Sequence, residues 1–314
     1  MTFFSKIKKN PGWLVLEFQP DGVCLTHLFP ADKPEVRLAV FYPLAQTPLT
    51  TVLARINKEH SLNRYDCSYL LSANEYQISS VETPTVPQDE LKTAVRWLLK
   101  DMLDYHIDDA TIDVLGIPAD KNATTRKPTM YVVSARNQLI AQKQAYFDDA
   151  QIPLAVIDIP ELAQRNIANL IAPAGRGIAL LSVNQTGSLL TISYDSELYL
   201  SRRLDMNLQQ LSHAQAEHRQ QIFEKISLEL QRTFDHIDRQ YNFINLSRLT
   251  VMTNLPELAE LTVYLSANLY IPAETLDLAT VFDFSLAPEL QSAVQQSRFQ
   301  LCLGAALRLE EKIL

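Results

Sequence analysis

The side chains that could do chemistry are few and poorly grouped. Asp101, Asp104, Asp108 and Asp109 crowd four carboxylates into one short stretch, and paired carboxylates can do acid–base work. Following directly on an amphipathic segment, they read instead as a solvated helix end and turn. His213 and His218 are five apart, a spacing that sends two residues of one helix to different faces, and Asp235-His236 with Asp238-Arg239 reads as solvated helix charge. Cys24, Cys67 and Cys302 stand at no metal or redox spacing, and their odd number argues against a complete disulfide framework, so they are expected in the core. No G-x-S-x-G elbow, Walker loop, H-E-x-x-H or paired-Cys motif occurs. Trp13 and Trp97 could anchor a partner, but Trp97 stands beside Leu98 on the apolar side of its segment and is expected to pack in a core or at a lobe boundary.

Composition narrows the classes further. A chain of 314 residues with 47% hydrophobic and 20% charged residues is globular and large enough for two lobes. A net charge of -8 without a Lys/Arg stripe argues against nucleic acid as a partner. Lys6, Lys8 and Lys9 beside Phe3, Phe4 and Ile7 could touch an anionic membrane weakly, although a frayed, solubilising terminus is the simpler reading. No apolar run reaches the roughly 20 residues of a membrane span, and the first residues lack a secretory apolar core, so a cytoplasmic location is expected. Glycine is scarce, with seven residues in all. That matters because a phosphate cradle is built from backbone N–H groups that need glycine to be approached closely.

Several elements must position whatever site exists. Residues 13–29 carry two apolar runs around Pro20-Asp21-Gly22, which predicts a β-hairpin. Strands are expected at 35–42 and 67–71, with a helix at 49–59 between them. Pro84 and Pro87 precede an amphipathic helix whose apolar residues Leu91, Ala94, Val95, Leu98, Leu99, Met102 and Leu103 predict one continuous buried face, with Lys92, Arg96 and Lys100 elsewhere. Strands at 110–117, 129–133 and 155–159 and a helix at 136–150 complete a β-α-β-β-α-β unit spanning 77–160, taken as an insertion in the first lobe. A helix from Pro160 ends at Pro173-Ala174-Gly175. A second meander follows at 178–183, 189–194 and 197–203. Then come a long helix at 214–242, a strand at 249–253, a helix at 256–265, a short strand around Leu269 and a terminal helix. The lobes are accordingly drawn as 1–76 with its insertion 77–160, a return helix 161–175, a second lobe 176–290, and a C-terminal helix 291–314 packing on the first lobe.

Two meander-led α/β lobes with such an insertion resemble the actin-like, ribonuclease H-like ATPase plan. Four stretches are similar to PilM-type proteins of type IV pilus assembly, and most to their MshI branch from mannose-sensitive haemagglutinin pilus biogenesis. They are Glu90–Asp101 with Ile112-Asp113, Ile157–Ala163, the Leu189–Ile192 and Glu197–Arg203 pair, and Leu303–Arg308. Their order and spacing along nearly the whole chain carry the resemblance.

The resemblance implies two glycine-bearing hairpin turns that hold the phosphates, with an acidic residue on each strand near a metal. This sequence departs from that pattern. Glu17 stands where Asp is usual, Gln19 where Gly is usual, and Cys24 near the place of a phosphate-facing Lys. In the second turn Ser182 and Asn184 occupy the Asp and Gly positions, and Asn254-Leu255-Pro256-Glu257 replaces the adenosine-side glycines. The expectation is a pseudo-ATPase with no cofactor, the alternative being weak ATP/Mg binding through an unusual site. The resemblance further implies a scaffold that binds the short cytoplasmic tail of a bitopic inner-membrane partner in the groove between first lobe and insertion. Arg96, Lys100, Asp158 and Glu161 are the candidate groove or rim residues. An adaptor that recruits the assembly motor ATPase is the other reading.

Overall fold

In the computed structural model, residues 9–118 and 128–309 are described. Of the N-terminal basic cluster only Lys9 falls among them, and residues 310–314 of the expected terminal helix also lie outside.

The chain opens with a three-stranded antiparallel meander, β1 (Trp13–Gln19), β2 (Gly22–Phe29) and β3 (Glu35–Pro43), in which Gln19 pairs with Gly22 across the Pro20-Asp21 turn. Helix α1 (Leu49–His60) buries Val52, Leu53 and Ile56 and returns the chain to β4 (Asp66–Leu70), parallel to β1. Next come β5 (Gln77–Glu82), α2 (Leu91–Leu99), β6 (Ala110–Gly116) and β7 (Thr129–Arg136). These three strands form their own antiparallel sheet, ordered β5-β7-β6. Helix α3 (Asn137–Asp149) leads to β8 (Leu154–Asp158), then α4 (Pro160–Ile171).

The expected β-α-β-β-α-β boundary at residue 160 is corrected here. Strand β8 pairs in parallel with β4 and closes the first sheet, whose order is β3-β2-β1-β4-β8. The inserted unit is therefore a β-α-β-β of residues 77–136. The reason is that Leu154, Ala155, Val156 and Ile157 offer apolar side chains on both faces, as a parallel strand covered on both sides requires. Phe147 likewise buries α3 in the first-lobe core beside Leu53 and Ile56.

The second lobe repeats the plan. Its elements are β9 (Gly177–Val183), β10 (Ser188–Tyr194), β11 (Glu197–Leu204), α5 (Leu208–His213), α6 (Ala216–Gln240), β12 (Leu246–Met252), α7 (Pro256–Asn268), β13 (Ala273–Leu276) and α8 (Ala293–Ala306). The sheet order β11-β10-β9-β12-β13 mirrors the first lobe strand for strand. The helix expected at 214–242 is α6, which runs from Ala216 to Gln240; a separate short helix, α5, precedes it, with Asn207 capping it in a reciprocal box with Gln210. His213 and His218 thus sit on separate helices. The last strand lies at 273–276, beyond the Leu269 expected for it.

The two lobes exchange their final helices. Helix α4, expected to return to the first lobe, packs instead against β9, β10 and β11, while α8 packs on β1 and β2. The two helices cross between the sheets, and one apolar cluster joins Val15 and Leu28 of the first sheet, Ala163 and Ile167 of α4, Ile178 and Leu180 of the second sheet, and Phe299 of α8. At the crossing Gly304 meets the backbone of Ala163 so closely that an added Cβ would stand 2.3 Å from its carbonyl oxygen. Asn166 Nδ2 donates to Gly304 O at 3.0 Å. Helix α8 is buried nearly all round, the mark of a central helix.

Candidate functional site

A cavity of about 940 Å³ lies between the lobes. It is walled by the β1–β2 turn, the β4–β5 connection, the β9–β10 turn, the start of α7 and one side of α8. All three loops in which sequence reasoning places the nucleotide positions therefore converge on one cleft.

The first-lobe wall is tied down from α8. Gln19 Nε2 donates to Arg298 O at 3.0 Å and to Glu17 Oε2 at 3.1 Å. Arg298 Nη1 reaches Asp21 Oδ2 at 2.9 Å, and the same guanidinium stacks on Phe41, 3.9 Å from the ring centre. Glu17 Oε2 also accepts from Cys302 Sγ at 3.2 Å. Burial pushes the Glu17 carboxyl above its usual range, against the opposing pull of Cys302, Gln19 and Arg298. Cys24 is fully buried on β2 and packs beside Cys302, whose thiol burial holds well above its ordinary value. Two buried thiols, Cys24 and Cys302, thus stand side by side on this wall.

The second-lobe wall closes on itself. Asn184 Oδ1 accepts from Thr186 N and Thr186 Oγ1, both at 2.9 Å, and from Gly187 N at 3.0 Å. Asn184 N donates to Gly187 O at 2.9 Å. The turn N–H groups of Asn184, Thr186 and Gly187 are therefore bonded within the turn itself. Ser182 is buried on β9, its hydroxyl accepting from Gln164 Nε2 of α4. Gln164 Nε2 donates also to Leu189 O at 3.2 Å, and its Oε1 accepts from Thr191 Oγ1 at 2.8 Å. A neutral network fills the second acidic position. Beyond β12, Thr253 is fully buried with φ +70° and an unpartnered hydroxyl. This left-handed conformation is an outlier for a β-branched residue and natural for glycine. The loop keeps a glycine-like path with a threonine in it.

The candidate partner-binding residues scatter. Arg96 is a clamp: it donates to Ile107 O at 2.8 Å and Ala110 O at 3.3 Å and pairs with Asp108, pinning the connection from α2 to β6. Lys100 is exposed just past α2. Asp158 and Glu161 are corrected as rim residues, because both are buried. Asp158 pairs with Arg308 at 2.6 Å and accepts from Ile159 N at 2.8 Å. Glu161 accepts from Tyr76 OH and from Ser201 Oγ at 3.3 Å, with the Arg203 guanidinium at 3.9 Å. Together with Tyr131, whose hydroxyl donates to Tyr199 O at 3.1 Å, Glu161 stitches the inserted unit to the second lobe.

The other acidic residues do not converge: Asp104 pairs with Arg136 and Asp108 with Arg96. Among the described residues no group of three or more His, Cys, Asp or Glu could hold a metal ion. Arg298, Gln164 and Thr253 escaped sequence reasoning. Gly304 carried a signal, as the single glycine after Gly187. Trp97 overturns its expectation outright. It is 73% exposed on α2, with Leu98 and Met102 also exposed, so the predicted continuous buried face narrows to Val95 and Leu99.

No family model matches the chain, and no curated protein matches it. Among solved structures it is similar to a chain of the "PilM-PilN type IV pilus biogenesis complex", at 17% identity and a TM-score of 0.73 over 97% of this chain and 99% of that one. It is also similar to the cytoplasmic domain of EpsL, an inner membrane component of the type II secretion system of Vibrio cholerae (14% identity, 93% and 94% covered, TM-score 0.49). A Bacteroides thetaiotaomicron protein with an actin-like ATPase fold and unknown function aligns at 10% identity (93% and 99% covered, TM-score 0.49). The likeness to the first establishes the fold: the chain has the two-lobed actin-like fold with a small inserted unit in its first lobe. No helix among the described residues is long and apolar enough to cross a membrane.

Proposed function

We propose that this chain is a non-catalytic scaffold of the type IV pilus assembly platform, cytoplasmic and held at the inner membrane by the short cytoplasmic tail of a bitopic partner. The observation that carries the reading is a full-length fold shared with a pilus biogenesis complex, combined with a cleft whose loop donors and acidic positions are occupied by the protein's own side chains. A turn whose N–H groups already bond to Asn184 has to give up those bonds before it can hold a phosphate, and each such exchange costs on the order of 1 kcal/mol. The mannose-sensitive haemagglutinin pilus is the version of the machine that the sequence resembles most, and recruitment of the assembly motor ATPase is the further task such a scaffold would perform.

The rival is a nucleotide-switched actin-like ATPase, favoured by one observation, that a cavity of ligand-holding size persists between the lobes. Calorimetric titration of the protein with ATP and magnesium separates the two. The scaffold reading expects no heat of binding; micromolar affinity would overturn it. Pull-downs with the membrane partner's tail and with the motor, done separately, test the partner assignment, and failure of the tail to bind sinks the preferred version.

A further inference from the structure

We propose that the solvent face of α2 is a docking surface for a cationic amphipathic segment of a second protein, distinct from the interlobe cleft and independent of any role in pilus assembly. Helix α2 carries two apolar stripes. The inner one, Val95 and Leu99, is buried on Met130 and Val132 of the inserted sheet. The outer one faces solvent among the described residues: Trp97 is 73% exposed, Leu98 45% and Met102 49%. A solvated helix face is normally polar, and scattered single apolar residues need no explanation, whereas an exposed tryptophan adjoining two further large apolar side chains does. Trp is also the residue most enriched at the energetic centres of interfaces.

Charge selects the occupant. Asp89, Glu90 and Asp101 surround the stripe, all exposed and with no ion pair among the described residues. Glu90 and Asp101 lie seven residues before and four residues after Trp97, on its own side of the helix. The basic residues nearby are spent elsewhere, Lys92 on Asp113 and Arg96 on Asp108, while Lys100, at the C-cap of α2, has no ion pair among the described residues. The face is therefore apolar and aromatic with an acidic rim. An anionic bilayer is repelled by that rim. A helix with Leu-type anchors flanked by Lys or Arg is matched twice over, by ion pairing at the rim and by cation–π contact with Trp97.

The test uses the full chain and three probes: a labelled short synthetic helix of Leu and Lys in amphipathic period, its Leu–Glu counterpart, and phosphatidylcholine vesicles containing phosphatidylserine. With only two tryptophans in the chain, emission from Trp97 reports directly on its burial. The Leu–Lys peptide should bind and shift that emission to the blue. Trp97→Ala should weaken binding about tenfold, the usual effect of removing such an anchor. The double variant Glu90→Lys, Asp101→Lys should weaken it similarly and gain affinity for the Leu–Glu peptide, while Glu224→Lys on distant α6 leaves binding unchanged. Because these side chains are exposed, unaltered melting of each variant separates lost docking from lost folding. Equal binding by wild type and Trp97→Ala, a preference for Leu–Glu, or an equal blue shift with the vesicles would overturn the proposal. So would a wild-type dimer that Trp97→Ala dissociates, or a gain in affinity when residues 1–8, themselves basic and apolar, are deleted.

Discussion

The two walls of the interlobe cleft descend from the same strand plan and have been filled in opposite ways. On the first-lobe side, Gln19 and Asp21 bond to Arg298 and Glu17 to Cys302, so the turn is held from a helix far away in sequence. On the second-lobe side, Asn184 satisfies its own turn, and Thr253 keeps a left-handed backbone inside the core, its N–H bonded to Leu276 O at 3.1 Å. The difference teaches that a tight path can be held at a loop position without glycine, provided that a side chain supplies an acceptor for the loop's N–H groups or the core over-determines the backbone. It also ties the first turn directly to α8 through Arg298, whereas α8 reaches the second wall behind its turn, where Gln300 Nε2 donates to Val183 O at 3.5 Å.

The strongest way to break this contrast is at the helix crossing. Gly304→Val should cost about 3 kcal/mol in urea denaturation, because its side chain has to displace the Ala163 backbone. Hydrogen exchange should quicken at Gln19–Gly22 and stay unchanged at Asn184–Gly187; equal quickening in both turns would end the comparison. Next in size is a pair of buried threonines with unpartnered hydroxyls, Thr250 on β12 and Thr253 just after it. Thr250→Gly should destabilise by about 2 kcal/mol through lost packing and strand entropy. Thr253→Gly should lie within about 0.5 kcal/mol of wild type, since relief of the left-handed strain offsets the same losses. Similar costs at both positions would mean that Thr253 is not strained.

The turns themselves give a smaller effect. Arg298→Ala and Asn184→Ala should each cost about 1 kcal/mol. A double-mutant cycle should show Arg298 coupled to Asp21, with Asn184 additive to both. Smallest is the pH signature of Glu17. Its folded-state carboxyl titrates above the ordinary value because it is buried, so its protonated form favours folding. That contribution is complete below the unfolded value, near pH 4, and is lost as pH rises through the folded one. Glu17→Gln should therefore melt higher than wild type at pH 8, with the gap closing toward pH 4.

Much of this frame could be read in the residues. Asp21-Gly22 announced the first hairpin, and the spacing of turns in 178–203 announced the second meander. What periodicity could not say was which sheet an element would join. The apolar run at 154–157 suits the inserted sheet and the first-lobe sheet equally, and only pairing with β4 decides. Helix α4 has apolar residues on several sides, and nothing in their spacing shows that it would cross to β10. Trp97 failed for a related reason: the i, i+4 pattern through Leu98 and Met102 is the same whether a second stripe meets the protein's own core or the solvent. Asn184 was legible as a non-glycine residue of the second turn, but that its side chain caps the turn follows only from the fold. Asp158 and Glu161 looked like surface charge beside a proline, and burial with Arg308 and Arg203 made them internal.

The exchange of final helices sets an order in time as well as in space. Strands β1 and β2 leave the ribosome well before α8, the helix that covers them, so at about 5–20 residues per second one face of the first sheet waits roughly 10–50 s for its cover. The first lobe is finished only when α8 arrives, by which point the second lobe has been made. The two lobes thus become one packed object only once α8 is in place between them.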